Sequence, residues 1–387
     1  MNNPMALRQD SIGLYLHIPF CERRCRFCAF VTRDHQDDRA VAFVVDLLKE
    51  IELAGDAGLV RGRRVDTVYF GGGTPTTLSP AQLLAVLDTC RRRFDVASDA
   101  EITIEANPTG VDIPALRALR AGGITRVSFG AQSFDDAELD AAGTPHRARD
   151  IASAVHSARA AGLPTVNLDL IYGFPGQTPA CWLANLDAAI ALEPDHLSFY
   201  GLTIEEGTAF HRDMERGRMT LPCEDAMADL YEMGRERLNA TGYIQYEVSN
   251  FARPGHECRH NLGYWTDREW LGLGPSAHSY LDGDRFGNVE SLSEYHRLVE
   301  GGMAPIVERE KGTPELRVRE AVVFGLRTVG GVRLGALRRR YHLDPVARLK
   351  EPIAWLTREG WLVLDDQVLR PSVTGLAMAD ELAVALL

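Results

Sequence analysis

Three of the chain's seven cysteines fall within eight residues, directly after a short apolar run that ends at a proline. The run Leu14-Tyr15-Leu16-His17-Ile18-Pro19 reads as a β-strand, stopped where Pro19 removes a backbone donor. Cys21, Cys25 and Cys28 follow at C-x3-C-x2-C spacing. Thiolates are soft ligands suited to iron–sulfur clusters or zinc. A structural zinc site asks for four protein ligands, usually as paired C-x2-C units. A cubane has four irons, so three close cysteines can hold three of them and leave one iron open.

This spacing and its flanks resemble the radical S-adenosylmethionine (SAM) superfamily. The resemblance implies a [4Fe–4S] cluster on Cys21, Cys25 and Cys28, whose open iron takes the amino and carboxylate groups of SAM. One electron from the cluster would then cleave SAM to a 5′-deoxyadenosyl radical. Tyr15 matches a tyrosine near the cluster, and Phe27, within the cysteine loop, is placed beside the cofactors.

Composition narrows the remaining classes. Acidic residues number 54 against 42 basic ones, giving a net charge of −12. That balance disfavours a nucleic-acid partner held through phosphates. No apolar run is long enough to span a bilayer, and residues 1–10 show neither an apolar core nor a cleavage site of an export signal. An odd, partly clustered set of cysteines argues against a disulfide framework. Free thiolates and an oxygen-sensitive cluster point to a reducing cytoplasm.

Periodicity gives the architecture. Strand patterns at 65–70, 101–105, 126–130, 165–172 and 196–200 follow the first strand and alternate with helical patterns at 37–57, from 79 onward, at 113–121, within 146–161 and at 179–192. Ser79-Pro80 opens a helix with serine as cap and proline in its first turn. Strand–helix alternation predicts a parallel sheet. Distinctive groups lie at or near the carboxyl ends of five consecutive strands: the cysteines and Gly71-Gly72-Gly73-Thr74 follow the first two, Glu105 ends the third, Gln132 follows the fourth, and Asp169 lies near the end of the fifth. Such placement favours a barrel rim over the single switch point of an open sheet. The expected fold is α/β, an incomplete (β/α)6 barrel over residues 1–220. A connecting region, 221–313, completes it, and residues 314–387 form a smaller α+β domain. The latter reads helix, helix, helix, hairpin, as in a winged helix.

The glycine run permits close backbone approach to a ligand, and within the superfamily it resembles the loop that binds the SAM amino group. The strings Ile104-Glu105-Ala106-Asn107-Pro108, Phe129-Gly130-Ala131-Gln132-Ser133 and 167–177, which contains Asp169, resemble the coproporphyrinogen-oxidase-like branch. The resemblance implies that Glu105, Gln132 and Asp169 contact SAM, Asp169 through the ribose hydroxyls; charged acceptors form the stronger hydrogen bonds. Oxidases of this branch carry a fourth cysteine where this chain has Phe30, and a longer segment before the first strand.

Further on, Cys258-Arg259-His260-Asn261-Leu262-Gly263-Tyr264-Trp265 contains H-N-x-x-Y-W, which resembles the hallmark of the HemW heme chaperones, as do 246–252 and 273–280. The resemblance implies that His260, Asn261, Tyr264 and Trp265 take part in heme binding, with His256, Cys258 and His278 as alternative ligands. The residue-level alternative is a hydrogen-bonded histidine beside aromatics that pack the second domain onto the barrel. Two departures from the family pattern stand out: Ala29 replaces an aspartate, and Thr144 an arginine of a G-R-x-H segment, for which Arg147 or Arg149 could substitute.

The implied function is a cluster- and SAM-containing carrier that passes heme to an acceptor protein. Its implied reductant is a small-molecule electron donor or a flavodoxin-type protein. Two enzymatic alternatives share the scaffold: a C-methyltransferase or cyclopropanase using two SAM molecules, and an oxygen-independent coproporphyrinogen III dehydrogenase. Cys90, Cys181 and Cys223 read as buried thiols, and Arg338-Arg339-Arg340 as a solvated helix face.

Overall fold

A computed structural model describes residues 11–387; the expectation about an export signal in residues 1–10 lies outside them. Six parallel strands form the centre: β1 (Ser11–Ile18), β2 (Arg64–Gly72), β3 (Asp95–Ala106), β4 (Arg126–Gln132), β5 (Thr165–Tyr172) and β6 (His196–Gly201). They pair in sequence order, and the helices between them pack outside. The helices are α1 (Asp37–Asp56), α2 (Pro80–Arg93), α3 (Ile113–Ala121), α4 (Asp136–Ala142), α5 (Ala148–Ala160) and α6 (Pro179–Ala191). Ser79 caps α2 in a full capping box with Gln82, so two otherwise orphaned backbone donors are satisfied.

Outward-facing residues such as Leu14, Leu16, Val68, Phe70 and Ile104 are fully buried under the helices. The opposite face is polar at alternate positions, as period two requires. Thr67 lies opposite Glu101, Glu105 opposite Ser128, Gly130 opposite Asp169, and Asp169 opposite Ser198. A sheet with a greasy outside and a polar inside curls around an aqueous lumen. This is the expected partial barrel.

Its edges extend further than periodicity predicted. Beside β6 lies the antiparallel β7 (Asn250–Ala252). Beyond β1 come β8 (Trp270–Leu273, parallel to β1), β9 (His278–Leu281), β10 (Asp284–Asn288) and β11 (Ile306–Lys311), so the sheet continues well past the six core strands. Buried Glu50 of α1 pins this extension: its carboxylate accepts from the Gly274 amide at 2.7 Å, Asn288 Nδ2 at 2.7 Å and the Tyr295 hydroxyl at 2.5 Å.

The C-terminal part has its own apolar core, including Val322, Leu334, Leu356 and Leu369. Helices α11 (Pro314–Gly325), α12 (Leu334–Tyr341) and α14 (Lys350–Arg358) surround a three-stranded sheet whose hairpin turns at Asp365, the winged-helix order. The arginine run of α12 is not freely solvated. Arg340 reaches Asp267, outside the C-terminal part, at 3.1 Å, while Arg338 pairs locally with Asp344 at 3.2 Å. Cys90 is buried as expected, but Cys181 is half-buried and Cys223 is exposed, because both sit where helices begin, away from the core.

Residues 259–265 form helix α9 (Arg259–Trp265). A carboxylate from another strand explains it. Glu101 of β3 accepts the backbone N–H groups of Arg259 at 2.9 Å and His260 at 3.0 Å, neutralising the positive helix end. Such a cap, supplied from far along the chain, leaves no local signal.

Candidate functional site

The carboxyl ends of the six strands surround a cavity of about 480 Å³. Its wall brings together Cys21, Phe27, Cys25 and Cys28 with Gly72, Gly73, Thr74, Glu105, Gln132, Asp169 and Asn261. Tyr15, Gly71, His260, Tyr264 and Trp265 stand behind or beside that wall and do not line it.

The cysteine loop is held from three directions. Arg26 N–H bonds to the Ala142 carbonyl at the end of α4, and Phe210 N–H bonds back to the Arg26 carbonyl. Phe27 packs with Phe210, Ile171 and Leu202. Arg24 Nε donates to the Cys28 carbonyl at 3.2 Å. The three thiols are free, and burial pushes all three above the usual thiol range, Cys25 up to about 12. Three free thiols from one loop gathered on one cavity wall are a donor set that fits a site-differentiated cluster.

Glycines bring a second loop against the first. Gly73 N–H bonds to the Ile18 carbonyl at 2.8 Å and Thr74 N–H to the Phe20 carbonyl at 2.7 Å. A Cβ at Gly73 would lie 2.5 Å from the Phe20 carbonyl oxygen, and Gly72 has φ +108°. No side chain can be inserted there without moving the strand end that carries Cys21. Gly73→Ala should destabilise the apo chain by about 2 kcal/mol in urea unfolding and reduce iron uptake. Wild-type stability in that variant would show that the loop gives way.

Two acids dominate the electrostatics. Tyr69 donates to Glu105 Oε1 at 2.7 Å. Asp169 accepts from Ser128 Oγ and Asn167 Nδ2, both at 2.8 Å. Both carboxylates face the cavity deep inside the barrel, where burial, with their mutual repulsion adding at Glu105, raises both; Glu105 reaches about 7. A pair of crowded acids in a cavity favours a cationic ligand, and SAM carries an ammonium and a sulfonium. Gln132, at the end of β4, sits in the left-handed region at φ 64°. Strain of this kind concentrates at ligand sites.

Thr144 turns its hydroxyl to the carbonyls of Leu139 and His146. Neither proposed substitute reaches the cavity: Arg147 pairs with Asp140, and Arg149 points to solvent beside Asp150. The cations on the wall are Arg23, Arg24 and Arg126. Arg126, Tyr69, Ser128 and Asn167 were not singled out from the sequence. Their signal was the polar alternation within strands 65–70, 126–130 and 165–172, which marks a polar barrel interior.

The H-N-x-x-Y-W residues part company. Asn261 faces the cavity floor with Cys258. His260 is 3% exposed; Nδ1 meets Thr67 Oγ1 at 2.9 Å and Nε2 meets the Tyr264 hydroxyl at 2.8 Å. Trp265 lies over Phe324 of α11 and under the Arg327 guanidinium, at the join to the C-terminal part. His256 is bonded to Thr165 at 3.0 Å. The His278 side chain is 65% exposed.

A parallel partial barrel with three cysteines and a glycine loop on its carboxyl rim is the radical SAM architecture. The family profile of the Radical SAM superfamily matches residues 15–189, and that of the HemN C-terminal domain residues 313–378. Among solved structures, coproporphyrinogen III oxidase HemN from Escherichia coli superposes with a TM-score of 0.84 at 25% identity, covering 99% of this chain and 91% of that one. The heme chaperone HemW of Mycobacterium tuberculosis is 41% identical over 84% of this chain and 85% of its own. That of Bacillus subtilis is 35% identical over 82% and 84%. The chain belongs to the HemW family of radical SAM proteins.

Proposed function

We propose that this protein is a heme chaperone: it carries a [4Fe–4S] cluster and SAM in the barrel and passes heme to an acceptor protein. The observation that carries this reading is the identity of up to 41% across most of the chain to proteins named heme chaperones. Position 30 agrees with it, since Phe30, 68% exposed at the cavity mouth, stands where the oxidases place a fourth cysteine.

In this reading Cys21, Cys25 and Cys28 hold the cluster, which with SAM supplies one-electron cleavage chemistry when bound. Gly72, Gly73 and Thr74 give the ligand a wall without side-chain bulk. Glu105 and Asp169 attract its positive charges, and Asp169, fixed by Ser128 and Asn167, is the acceptor for ribose hydroxyls. Arg23, Arg24 and Phe30 give the mouth a basic, partly apolar rim, suited to an acidic reductant of the flavodoxin type. The reducing cytoplasm suits such a cluster. Of His256, Cys258, His260 and His278, the exposed His278 is the group whose ring is open to a heme iron.

The test reconstitutes the cluster anaerobically and adds heme, coproporphyrinogen III and SAM separately. A stable heme complex by its Soret band, with no consumption of coproporphyrinogen, is the expected result, and His278→Ala should weaken the complex. Turnover of coproporphyrinogen III would make the protein a dehydrogenase. Absence of heme binding together with S-adenosylhomocysteine formation would make it a methyl-transfer enzyme.

A further inference from the structure

His260 is the motif residue whose surroundings fit an iron ligand least. Both ring nitrogens are engaged, and the assignment of protons follows from the neighbours. Arg268 Nη2 donates to Thr67 Oγ1 at 2.5 Å while ion-paired to buried Asp66 at 2.9 Å. The Thr67 hydroxyl proton is thereby directed to His260 Nδ1, and Nε2–H donates to Tyr264. Burial and the Arg268 charge hold the imidazole neutral. What the ring does face is Tyr69: the two stack with centroids 5.0 Å apart and planes at 28°. Tyr69 also stacks on Tyr15, at 6.2 Å and 26°, and its hydroxyl donates to Glu105 at 2.7 Å.

We propose that His260 is a positioning residue of the cofactor cavity: clamped between Thr67 and Tyr264, its ring fixes Tyr69 and so aims the Glu105 carboxylate into the cavity. This rests on the reading of Glu105 as part of the SAM site. The physical point is rigidity. A tyrosine held against two rings has one orientation for its hydroxyl, so the acid it bonds loses little freedom when ligand arrives. Helix α9 packs against β2, with Glu101 holding its first turn and His260 delivered against Thr67 and Tyr69.

The experiment uses the full chain with its cluster reconstituted, and reads two quantities: SAM affinity, from the change in the reduced cluster's electron paramagnetic resonance spectrum, and heme affinity, from the Soret band. His260→Ala should weaken SAM about tenfold and alter the SAM-induced spectral change, with heme affinity unchanged. His260→Phe, which restores a ring against Tyr69, should recover most of the SAM affinity. Tyr69→Phe should match His260→Ala, and the double variant should be no worse than either, as expected for residues acting in one chain of contacts. Loss of heme in His260→Ala overturns the proposal, as does SAM affinity equal to wild type. If His260→Ala takes up no cluster, Tyr69→Phe decides, and wild-type SAM affinity there overturns it. Glu105→Gln separates the two levels. Unchanged SAM binding in Glu105→Gln refutes the cofactor-site reading itself, whereas weakened binding there with none in His260→Ala refutes only the role of His260.

Discussion

Cys25→Ala should abolish the brown cluster absorbance and the iron content of the reconstituted protein. Cys25 is the middle thiol of the loop, and its N-terminal and C-terminal neighbours in the motif leave no redundancy. With it gone, Cys21 and Cys28 remain, and two thiolates do not hold a cubane. Nearby replacements are poorly placed. Cys90 lies in the apolar core under α2, Cys223 is exposed at the start of α8 (Glu224–Ala240), and Cys258 on the cavity floor is hydrogen-bonded to Glu101. The loop itself should survive, since its anchors are the Arg26 and Phe210 backbone bonds and the Phe27 packing. Iron analysis and the visible spectrum after anaerobic reconstitution check this, with Cys223→Ser as the control that keeps its iron. Full iron in Cys25→Ala refutes the assignment.

Removing the Glu50 carboxylate should destabilise the chain by about 4 kcal/mol, because three buried donors lose their acceptor at once. The donors belong to the β8–β10 extension and to α10 (Leu292–Glu300), so Glu50→Ala should loosen the sheet beyond β1 before the barrel centre. Urea unfolding measures the loss, and hydrogen exchange at Gly274 and Asn288 localises it. Burial pushes Glu50 up to about 7, and the sign of its pH dependence follows. Between about pH 4.5 and 7 the folded state binds the extra proton, so the contribution of Glu50 is greatest below its unfolded value and declines as pH rises through 7, by roughly 3 kcal/mol. Glu50→Gln should flatten that part of the stability profile. A profile as steep as wild type in Glu50→Gln assigns the pH dependence to another group.

Much of the barrel was legible in the chain. Strand 165–172 and helix 113–121 have the bounds that periodicity predicts, because each is cleanly periodic and ends at a glycine. The edge strands were not. Trp270–Leu273 is four residues long, and its pairing to β1 depends on Glu50, which lies some 220 positions earlier. Within the cavity, the cysteines, glycine loop, Glu105 and Gln132 were found because each ends or follows a strand, and Asp169 because it sits in a string that resembles the family. Arg126, which starts its strand, and Tyr69, inside its own, escaped because only the curl of the sheet turns alternate positions toward one lumen.

The sequence by itself determined the order of strands and helices and the identity of the thiolate loop, since both depend on local spacing that survives without the fold. It also carried the likeness to the heme chaperones in the H-N-x-x-Y-W segment. Only the tertiary structure decided what that segment touches. Glu101 turns it into a helix, Thr67 and Tyr264 occupy the nitrogens of His260, and Tyr69 receives its ring. A motif states which groups are present. Which of their atoms remain free is fixed by partners far away in the chain.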